Sequence, residues 1–328
     1  MKIVPIFLLS ILLLLNGCID NAPRDNPLDP ASSGYSKKGS VTGRILIANV
    51  SAGIAGATIT STPENLSVQT DALGYFMFSS LSAGVHSFIC SKTNFTTDTF
   101  TVAVQTGQTA EVFRSLNGAP VTTFKQIYTR KIDQYFPGPQ YFVEVSAAVS
   151  DPNGITDLDS VWFAIYDSIR YPLTYSVTSK TFIATIYKYD FPTNTIQWLI
   201  GKPLTIVSRD TNNAKNISEP FTVSRIIEQT AVPMVSNADS LKTGFDLKWS
   251  PPDVTYNYSY TVTLSQISGG VQSVWRTHSG INSVEESMTY PYDANDVPLQ
   301  QGNYIWSVTI VDDFGNYGRS KESTFTVK

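Results

Sequence analysis

The sequence predicts an all-β protein made of three β-sandwich domains in tandem. The 328 residues include 17 Tyr and 17 Phe and many Thr, Ser and Val, side chains that favour strands because they fit a pleated, half-buried surface. Short runs that alternate apolar and polar residues recur along the chain, with Gly, Asp, Asn and Pro between them, as expected for strands with one buried face. A chain of this length is too long for one ordinary domain.

The first residues of the chain have the pattern of an export signal. Lys2 precedes an apolar run over residues 3–15, which is too short to span a bilayer as a permanent helix. The run closes with Leu15-Asn16-Gly17-Cys18, and this ending resembles the signal of bacterial lipoproteins. The resemblance implies that residues 1–17 are a signal peptide and that a diacylglycerol and an amide-linked acyl chain are attached to Cys18. An ordinary secretory signal with an incidental cysteine is the alternative.

The segment that follows Cys18 indicates which membrane would hold the protein and how the folded domains would be attached to the lipid. Ile19 stands where an aspartate would favour retention in the inner membrane, so the resemblance implies the outer membrane of a Gram-negative bacterium. No later window holds about eighteen apolar residues in a row, so the lipid is the expected membrane anchor. Residues 18–38 contain three prolines and few large apolar side chains, a composition typical of a flexible tether between the lipid and the folded domains.

Residues 39–118 are predicted to form the first sandwich. The segment contains five short motifs in this order: Gly39-Ser-Val-Thr-Gly43, Ile54-Ala-Gly-Ala57, Thr70-Asp71-Ala-Leu-Gly74-Tyr-Phe76, Leu81-Ser-Ala-Gly84 and Asn94-Phe95. In order and spacing they resemble the carboxypeptidase regulatory-like domain, which has a transthyretin-like fold. The resemblance implies a domain that is not itself a peptidase and that is often grouped with carbohydrate-binding-like folds.

Three residues of this domain carry specific predictions. His86 shares the parity of Phe88 and Cys90, so we expect a core histidine, although tyrosine is usual at this position of the family. Cys90 is expected to be a small buried side chain without a disulfide, because Cys18 would be lipidated. Gly74 is expected to supply the positive φ of a turn.

Residues 119–228 are predicted to form the second sandwich. The block SDPNGITDLDSVW, which begins at Ser150, joins two alternating runs and resembles a segment of bacterial immunoglobulin-like modules. Four of its side chains carry the oxygen atoms that a calcium site needs: Asp151, Asn153, Asp157 and Asp159. Their spacing departs from that of an EF-hand, and a solvated turn explains the same residues, so no cofactor other than the lipid is expected.

Several aromatic side chains are candidates for a ligand platform. Trp162 and Tyr166 have the opposite parity to the apolar residues between them, and Trp198 lies in another strand-like run. Trp275 is a further candidate. Rings exposed on a sheet stack on sugars or fill a pocket of a partner. Cover from a loop or a neighbouring domain is the alternative interpretation.

Residues 229–328 are predicted to form the third sandwich. Trp249 ends one alternating run just before Pro251-Pro252, and Leu299-Gln-Gln-Gly302-Asn-Tyr304 leads into another. These features resemble the fibronectin type III domain, and the resemblance implies that Tyr304 is its corner tyrosine. The second and third domains also end alike, with a strand, a tight Asp/Asn turn and a closing strand. This repetition favours two sandwiches in series over one large sheet.

Charge and motifs exclude several classes of function. The net charge of −4 and the pI of about 5.2 provide no basic field for nucleic acid. The sequence has no zinc-ligand cluster, phosphate-binding glycine loop, Gly-x-Ser-x-Gly or HExxH motif. We therefore expect a non-catalytic cell-envelope adhesion, scaffold or ligand-binding lipoprotein, with an envelope or extracellular protein or a glycan as partner. The alternatives are a carbohydrate-binding surface lipoprotein and an envelope enzyme, which would depend on His278.

Overall fold

The computed structural model of the chain describes residues 29, 32, 37–166, 168–234 and 245–327. The signal peptide and Cys18, on which the lipid-anchor prediction rests, lie outside these residues. Strands dominate the described residues, and their helices are three short 3-10 turns, which confirms the predicted all-β class. No helix in these ranges is long and apolar enough to cross a membrane. The chain divides into two compact units, Met1–Leu116 and Asn117–Lys328.

The first unit is a sandwich of two antiparallel-rich sheets. Its strands are β1 (Lys38–Ile47), β2 (Thr58–Thr62), β3 (Ser67–Gln69), β4 (Tyr75–Ser82), β5 (Gly84–Ser91), β6 (Asp98–Val104) and β7 (Thr109–Leu116). One sheet has the order β4-β1-β7 and the other β3-β2-β5-β6. Strands β1 and β7 are parallel, whereas β1 and β4 are antiparallel.

The core of the first unit follows the period of two that the sequence predicted. Alternate residues of β1, β4 and β5 are buried because successive side chains of a strand point to opposite faces. His86 is 2% exposed and Cys90 is fully buried, as expected. His86 Nε2 donates a hydrogen bond to the Ser82 carbonyl at 2.8 Å, so the imidazole is a polar core side chain held by backbone. Gly74 has the predicted positive φ, at 85°.

The second unit contains sixteen strands and three 3-10 turns among its described residues. The strands are β8 (Val121–Ile132), β9 (Gln140–Ser150), β10 (Leu158–Ile165), β11 (Ile169–Pro172), β12 (Thr174–Ser176), β13 (Thr181–Tyr187), β14 (Leu204–Asp210), β15 (Lys215–Ile217), β16 (Val232–Pro233), β17 (Phe245–Ser250), β18 (Tyr258–Ser268), β19 (Val271–Asn282), β20 (Ser287–Tyr290), β21 (Gly302–Asp312), β22 (Tyr317–Arg319) and β23 (Ser323–Val327). The 3-10 turns are η1 (Ile155–Asp157), η2 (Lys188–Asp190) and η3 (Ile196–Leu199).

Two separate hydrophobic cores lie within the second unit. The first is built around Val143, Val145, Phe163 and Ile206, and the second around Trp249, which is fully buried. One sheet has the order β12-β13-β9-β8-β22-β21-β18-β19, with β23 paired to β21. Two smaller sheets, β11-β10-β14-β15 and β16-β17-β20, complete the layers. The two cores agree with the predicted pair of sandwiches.

The two sandwiches are joined through one continuous sheet, which the sequence did not predict. Strands β8 and β22 pair in parallel, with Arg130 opposite Tyr317 and Ile132 opposite Arg319. The prediction of two sandwiches in series therefore agrees with the two separate hydrophobic cores. The prediction that the sandwiches do not share one large sheet is wrong. The physical reason is that β8 pairs with β9 along one edge, which leaves N–H and C=O groups on its other edge to be satisfied by a neighbouring strand.

Candidate functional site

Three aspartates meet at the end of the middle sandwich. Asp151 directly follows β9, Asp157 ends η1 and Asp210 ends β14. One carboxylate oxygen from each lies within 4.8 Å of the others. Asp157 is 7% exposed and Asp210 is 1% exposed. The pairing of β10 with β14 places Leu158 opposite Asp210, and this register brings Asp210 to the turn that holds the other two.

The hydrogen bonds of this cluster leave two carboxylate oxygens unused. Asp210 is held by the amides of Asn212 and Ala214, at 2.9 and 2.7 Å. Asp157 Oδ1 accepts a hydrogen bond from the hydroxyl of Thr211, and Asp151 Oδ1 accepts one from a backbone amide. The Oδ2 atoms of Asp151 and Asp157 are buried and have no hydrogen-bond partner among the described residues.

The electrostatics of the cluster are unfavourable without a counter-charge. Burial raises the pKa of the Asp151 carboxyl, the amide of Asn153 opposes this rise, and the charges of Asp157 and Asp210 add to it. At an effective dielectric constant of about 20, two carboxylate charges separated by 4.8 Å, the upper limit in this cluster, repel by roughly 3 kcal/mol. No Lys or Arg side chain forms an ion pair with these three aspartates within the described ranges.

The structure places the four predicted calcium residues differently. Asp151 and Asp157 belong to the cluster. Asn153 is buried, and its Oδ1 accepts a hydrogen bond from the Gly118 amide at 2.7 Å. Asp159 points elsewhere: Arg209 Nη2 donates to its Oδ2 at 2.5 Å, and the hydrogen bonds from Arg209 and Ser160 lower its pKa.

Asp210 is the cluster residue that the sequence reasoning missed. Its local pattern, an Asp/Asn turn at the end of a strand, indicates a turn and carries no signal for a ligand. The pairing of β10 with β14 is a long-range contact, and sequence spacing does not reveal it.

The four aromatic candidates do not form a single platform. Trp162 lies on β10, beneath the guanidinium of Arg170 at 5.3 Å and the ammonium of Lys215 at 6.0 Å. Tyr166 and Trp198 share another cation, Lys202, whose Nζ lies 5.5 and 4.6 Å from the two ring centres.

Trp275 lies apart, against the core of the last sandwich, where it packs edge-on to Tyr304 at 6.2 Å. Trp162, Trp198 and Trp275 are each half-buried, while Tyr166 is exposed. The structure thus brings Tyr166 and Trp198 together and leaves the other two rings separate, each with its own contacts.

A groove of about 540 Å³ opens on the outward face of the middle sandwich. The side chains Val143 and Val145 of β9 point into the core, so Glu144 and Ser146 point the other way. Ile183 and Thr185 of β13 face the same side. The lining of the groove includes Tyr128, Glu144, Ser146, Thr174, Ile183 and Thr185. The sequence carries a signal for this surface, the polar positions of an alternating strand, but not for its concavity.

His278 lies between two acidic side chains. Its Nε2 is 3.3 Å from Asp296 Oδ1, and its Nδ1 is 3.6 Å from Asp293 Oδ2. Arg276 Nε also approaches Asp296 Oδ1, at 3.7 Å. A Ser-His-Asp arrangement needs a hydroxyl nucleophile bonded to the imidazole, and no hydroxyl hydrogen bond to His278 is present in the part of the chain that the structure describes.

One family model matches part of the chain. Residues 40–116 match the carboxypeptidase regulatory-like domain. This match confirms the resemblance carried by the five sequence motifs of the first domain. The matched segment lies within the first unit and includes His86, Cys90 and Gly74. No curated protein matches the chain.

Several solved structures resemble the chain at low identity. The major pilin subunit BcpA of Bacillus cereus is 13% identical, with a TM-score of 0.31 over 89% of this chain and 93% of that one. Fibronectin(III)-like modules of CbhA from Clostridium thermocellum are 14% identical, with a TM-score of 0.30 over 64% and 94%. The FN1–FN3 domains of chicken CNTN1 are 10% identical, with a TM-score of 0.31 over 86% and 91%.

Proposed function

We propose that the protein is a non-catalytic cell-envelope lipoprotein that binds a partner through the groove of its middle sandwich. The observation that carries this proposal is the concave outward face formed by β9 and β13. Binding sites are concave and combine apolar surface with a few polar groups. The match of the first domain to the carboxypeptidase regulatory-like family supports a role other than catalysis.

The chemistry of the groove suits a polar ligand with a flat apolar face. The ring of Tyr128 and the exposed side chain of Ile183 supply apolar area. Hydrogen-bonding groups come from the hydroxyl groups of Ser146 and Thr185 and from the carboxylate of Glu144, whose Oε2 also accepts a hydrogen bond from Arg130. An extended protein segment of the envelope fits this description.

A carbohydrate is the second candidate ligand, and the same groove favours it. Sugars present hydroxyl groups at their edge and C–H groups on their face, which match carboxylate and aromatic side chains. The rings of Trp162 and Trp198 do not share one platform, whereas the groove brings an aromatic ring, a carboxylate and hydroxyl groups to one concave surface.

A binding screen with a groove-filling variant tests the proposal. The full chain is presented to arrays of glycans and of envelope proteins. Thr185→Trp should reduce binding at least about tenfold, because a large ring would occupy the groove while an aromatic side chain remains suited to an exposed strand position. Thr99→Trp is the matched control, since Thr99 is an exposed strand residue of the first unit.

The two arms of the screen separate the candidates. Hits in the protein array alone support a protein partner, and hits in the glycan array alone support a carbohydrate. Equal binding by wild type and Thr185→Trp would reject the groove as the binding surface.

The lipid anchor is a separate part of the proposal, and it rests on the sequence around Cys18. Labelled fatty acid fed to cells that express the protein should enter the wild type and not Cys18→Ser. Cys90→Ala is the control, because it removes the other thiol of the chain and should leave labelling unchanged. Label in Cys18→Ser equal to that in the wild type would refute the anchor, and recovery of the labelled protein in the inner-membrane fraction would refute the outer-membrane assignment.

A further inference from the structure

We propose that Asp151, Asp157 and Asp210 bind one Ca²⁺ ion at the end of the middle sandwich. This site differs from the candidate that the sequence suggested, because Asp210 takes part and Asp159 does not. The proposal is independent of the groove, which lies on the outward face of β9 and β13 and is lined by other residues.

The first argument is the convergence of three carboxylates from three elements. The end of β9, the turn η1 and the end of β14 each deliver one oxygen to a space no more than 4.8 Å across. Acidic side chains on turns ordinarily point into water, where solvation stabilises them. Here two of the three are more than nine-tenths buried, so solvent alone does not stabilise their charges.

The second argument is an unused oxygen inside the cluster. Asp157 is 7% exposed, and its Oδ2 is buried without a hydrogen-bond partner among the residues that the structure describes. Asp151 Oδ2 is in the same state. A buried ionised oxygen without a donor is strongly unfavourable, whereas a cation bound among the three carboxylates would compensate their negative charge.

The donor atoms select the class of metal. All three ligands are carboxylate oxygens, which suit Ca²⁺ and Mg²⁺ rather than Zn²⁺ or copper. Ca²⁺ accepts six to eight oxygens in irregular geometry, whereas Mg²⁺ demands a near-ideal octahedron. Three aspartates fixed by two strand ends and a 3-10 turn form an irregular set, so Ca²⁺ is the better fit, with water and nearby oxygens as further ligands.

A second acidic cluster, formed by His278, Asp293 and Asp296, has a cationic side chain of the protein beside it. There Arg276 Nε lies 3.7 Å from Asp296 Oδ1, and His278 approaches the same oxygen. The guanidinium of Arg276 thus already faces that carboxylate. In the proposed site the nearby guanidinium of Arg209 is bonded to Asp159 instead.

Binding would connect segments that are distant in sequence. Asp210 Oδ2 also accepts a hydrogen bond from Asn117 Nδ2 at 2.6 Å, and the Gly118 amide donates to Asn153. An ion on the three aspartates would therefore strengthen the attachment of residues 117–118 to the end of the middle sandwich. We expect a stabilising role for the ion rather than a catalytic one.

Calcium titration of the full chain tests the site. The protein, purified in detergent and stripped of metal with a chelator, is titrated with CaCl₂ by calorimetry and then heated with and without the ion. We expect one Ca²⁺ per chain and a rise in Tm of about 5–10 °C at a calcium concentration about 100 times the Kd. Asp157→Asn and Asp151→Asn should each weaken binding at least about tenfold. Asp159→Asn, which makes the same charge change in the same segment, should bind like the wild type.

The metal-free proteins supply an independent readout. Without calcium, Asp157→Asn should be at least as stable as the wild type, because the substitution relieves repulsion between carboxylates. A purely structural role for Asp157 predicts the opposite, a lower Tm. No calcium binding by the wild type, equal binding by Asp157→Asn and the wild type, loss of binding in Asp159→Asn, or tighter binding of Mg²⁺ than of Ca²⁺ would each overturn the assignment.

Discussion

Two aspartates of one short segment show that side-chain direction shifts the pKa of a carboxyl group up or down. Asp151 points into a buried acidic cluster, and burial raises its pKa. Asp159 points to solvent, and hydrogen bonds from Arg209 and Ser160 lower its pKa. The two residues are alike in the sequence, since both are aspartates in a turn-rich block. Their difference comes mainly from burial, which raises the pKa of Asp151 and to which the charges of Asp157 and Asp210 add, and from the Arg209 guanidinium, whose hydrogen bonds lower the pKa of Asp159.

Cys90 is expected to be chemically inert in the folded protein. Burial, assisted by the negative charge of Asp98, raises the pKa of its thiol to about 11, and the thiolate is the reactive form. In Cys18→Ser, where Cys90 is the remaining thiol, a maleimide should react slowly at pH 8 and completely in guanidinium. Thiol counting with and without denaturant measures this. Complete labelling of the native protein within minutes would contradict the prediction.

The same pKa shift fixes the sign of a stability change with pH. The folded state holds the Cys90 proton more tightly than the unfolded chain, whose thiol titrates near 9. Rising pH between about 9 and 11 should therefore lower the stability of the first unit through this group. Cys90→Ala should show a smaller loss of stability over that interval, which thermal unfolding at several pH values measures.

At the scale of elements, one aspartate-capped turn recurs in all three sandwiches. Asp71, Asp210 and Asp312 each use Oδ1 to accept the backbone amides two and four residues ahead. The residue three positions ahead has positive φ in every case: Gly74, Asn213 and Gly315. The resemblance between the ends of the last two domains thus reflects a shared turn, in which Asp312 corresponds to Asp210. The turn forms because the carboxylate satisfies amides that the hairpin leaves free.

Gly74 is expected to tolerate substitution less well than another glycine with similar φ. A Cβ at Gly74 would overlap the carbonyl oxygen of Ile45, in addition to the strain of positive φ. Gly107 has φ of 69° and no heavy atom within 4 Å of such a Cβ. We expect Gly74→Ala to lower the free energy of unfolding by about 2–4 kcal/mol and Gly107→Ala by about 1 kcal/mol. Chemical denaturation measures both, and equal losses would show that the close approach to Ile45 has no energetic weight.

At the scale of the whole second unit, one arginine holds the junction of the two sandwiches. Arg130 of β8 is 8% exposed and lies between the rings of Tyr128 and Tyr317, at 4.4 and 4.2 Å. Its Nε donates to Glu144 Oε2 at 2.7 Å, and its Nη1 donates to the carbonyl of Gly315. The side chain therefore contacts both partners of the β8–β22 pair, and the planar guanidinium suits stacking and hydrogen bonding together.

Removal of this side chain should destabilise the second unit. We expect Arg130→Ala to lower its free energy of unfolding by about 2–3 kcal/mol, because stacking and buried hydrogen bonds are lost. Arg130→Lys should recover part of the loss, since an ammonium keeps the charge without the planar fork. Arg209→Ala is the control, with a much smaller expected loss, because its ion pair with Asp159 is exposed to solvent. Urea unfolding measures all three, and losses of equal size for Arg130→Ala and Arg209→Ala would contradict the proposed role of the junction.

Much of the fold could be predicted because its signals are local. Alternation in β1, β9 and β21 identifies the buried face of each strand without reference to any distant residue. The five motifs of the first domain identified its family, and the burial of His86 followed from its parity with Phe88. The parallel pairing of β8 with β22 was missed because strands that meet edge to edge carry no pairing signal in their own residues.

The sequence by itself determined the class of fold, the first domain's family and the positions of the turns, since each depends on residues that are neighbours along the chain. Tertiary structure alone decided that Asp210 joins Asp151 and Asp157 while Asp159 turns away, and that Tyr128, Glu144 and Thr185 line one groove. The reason is geometric: strand register and the direction of each side chain bring together residues that are far apart in the sequence.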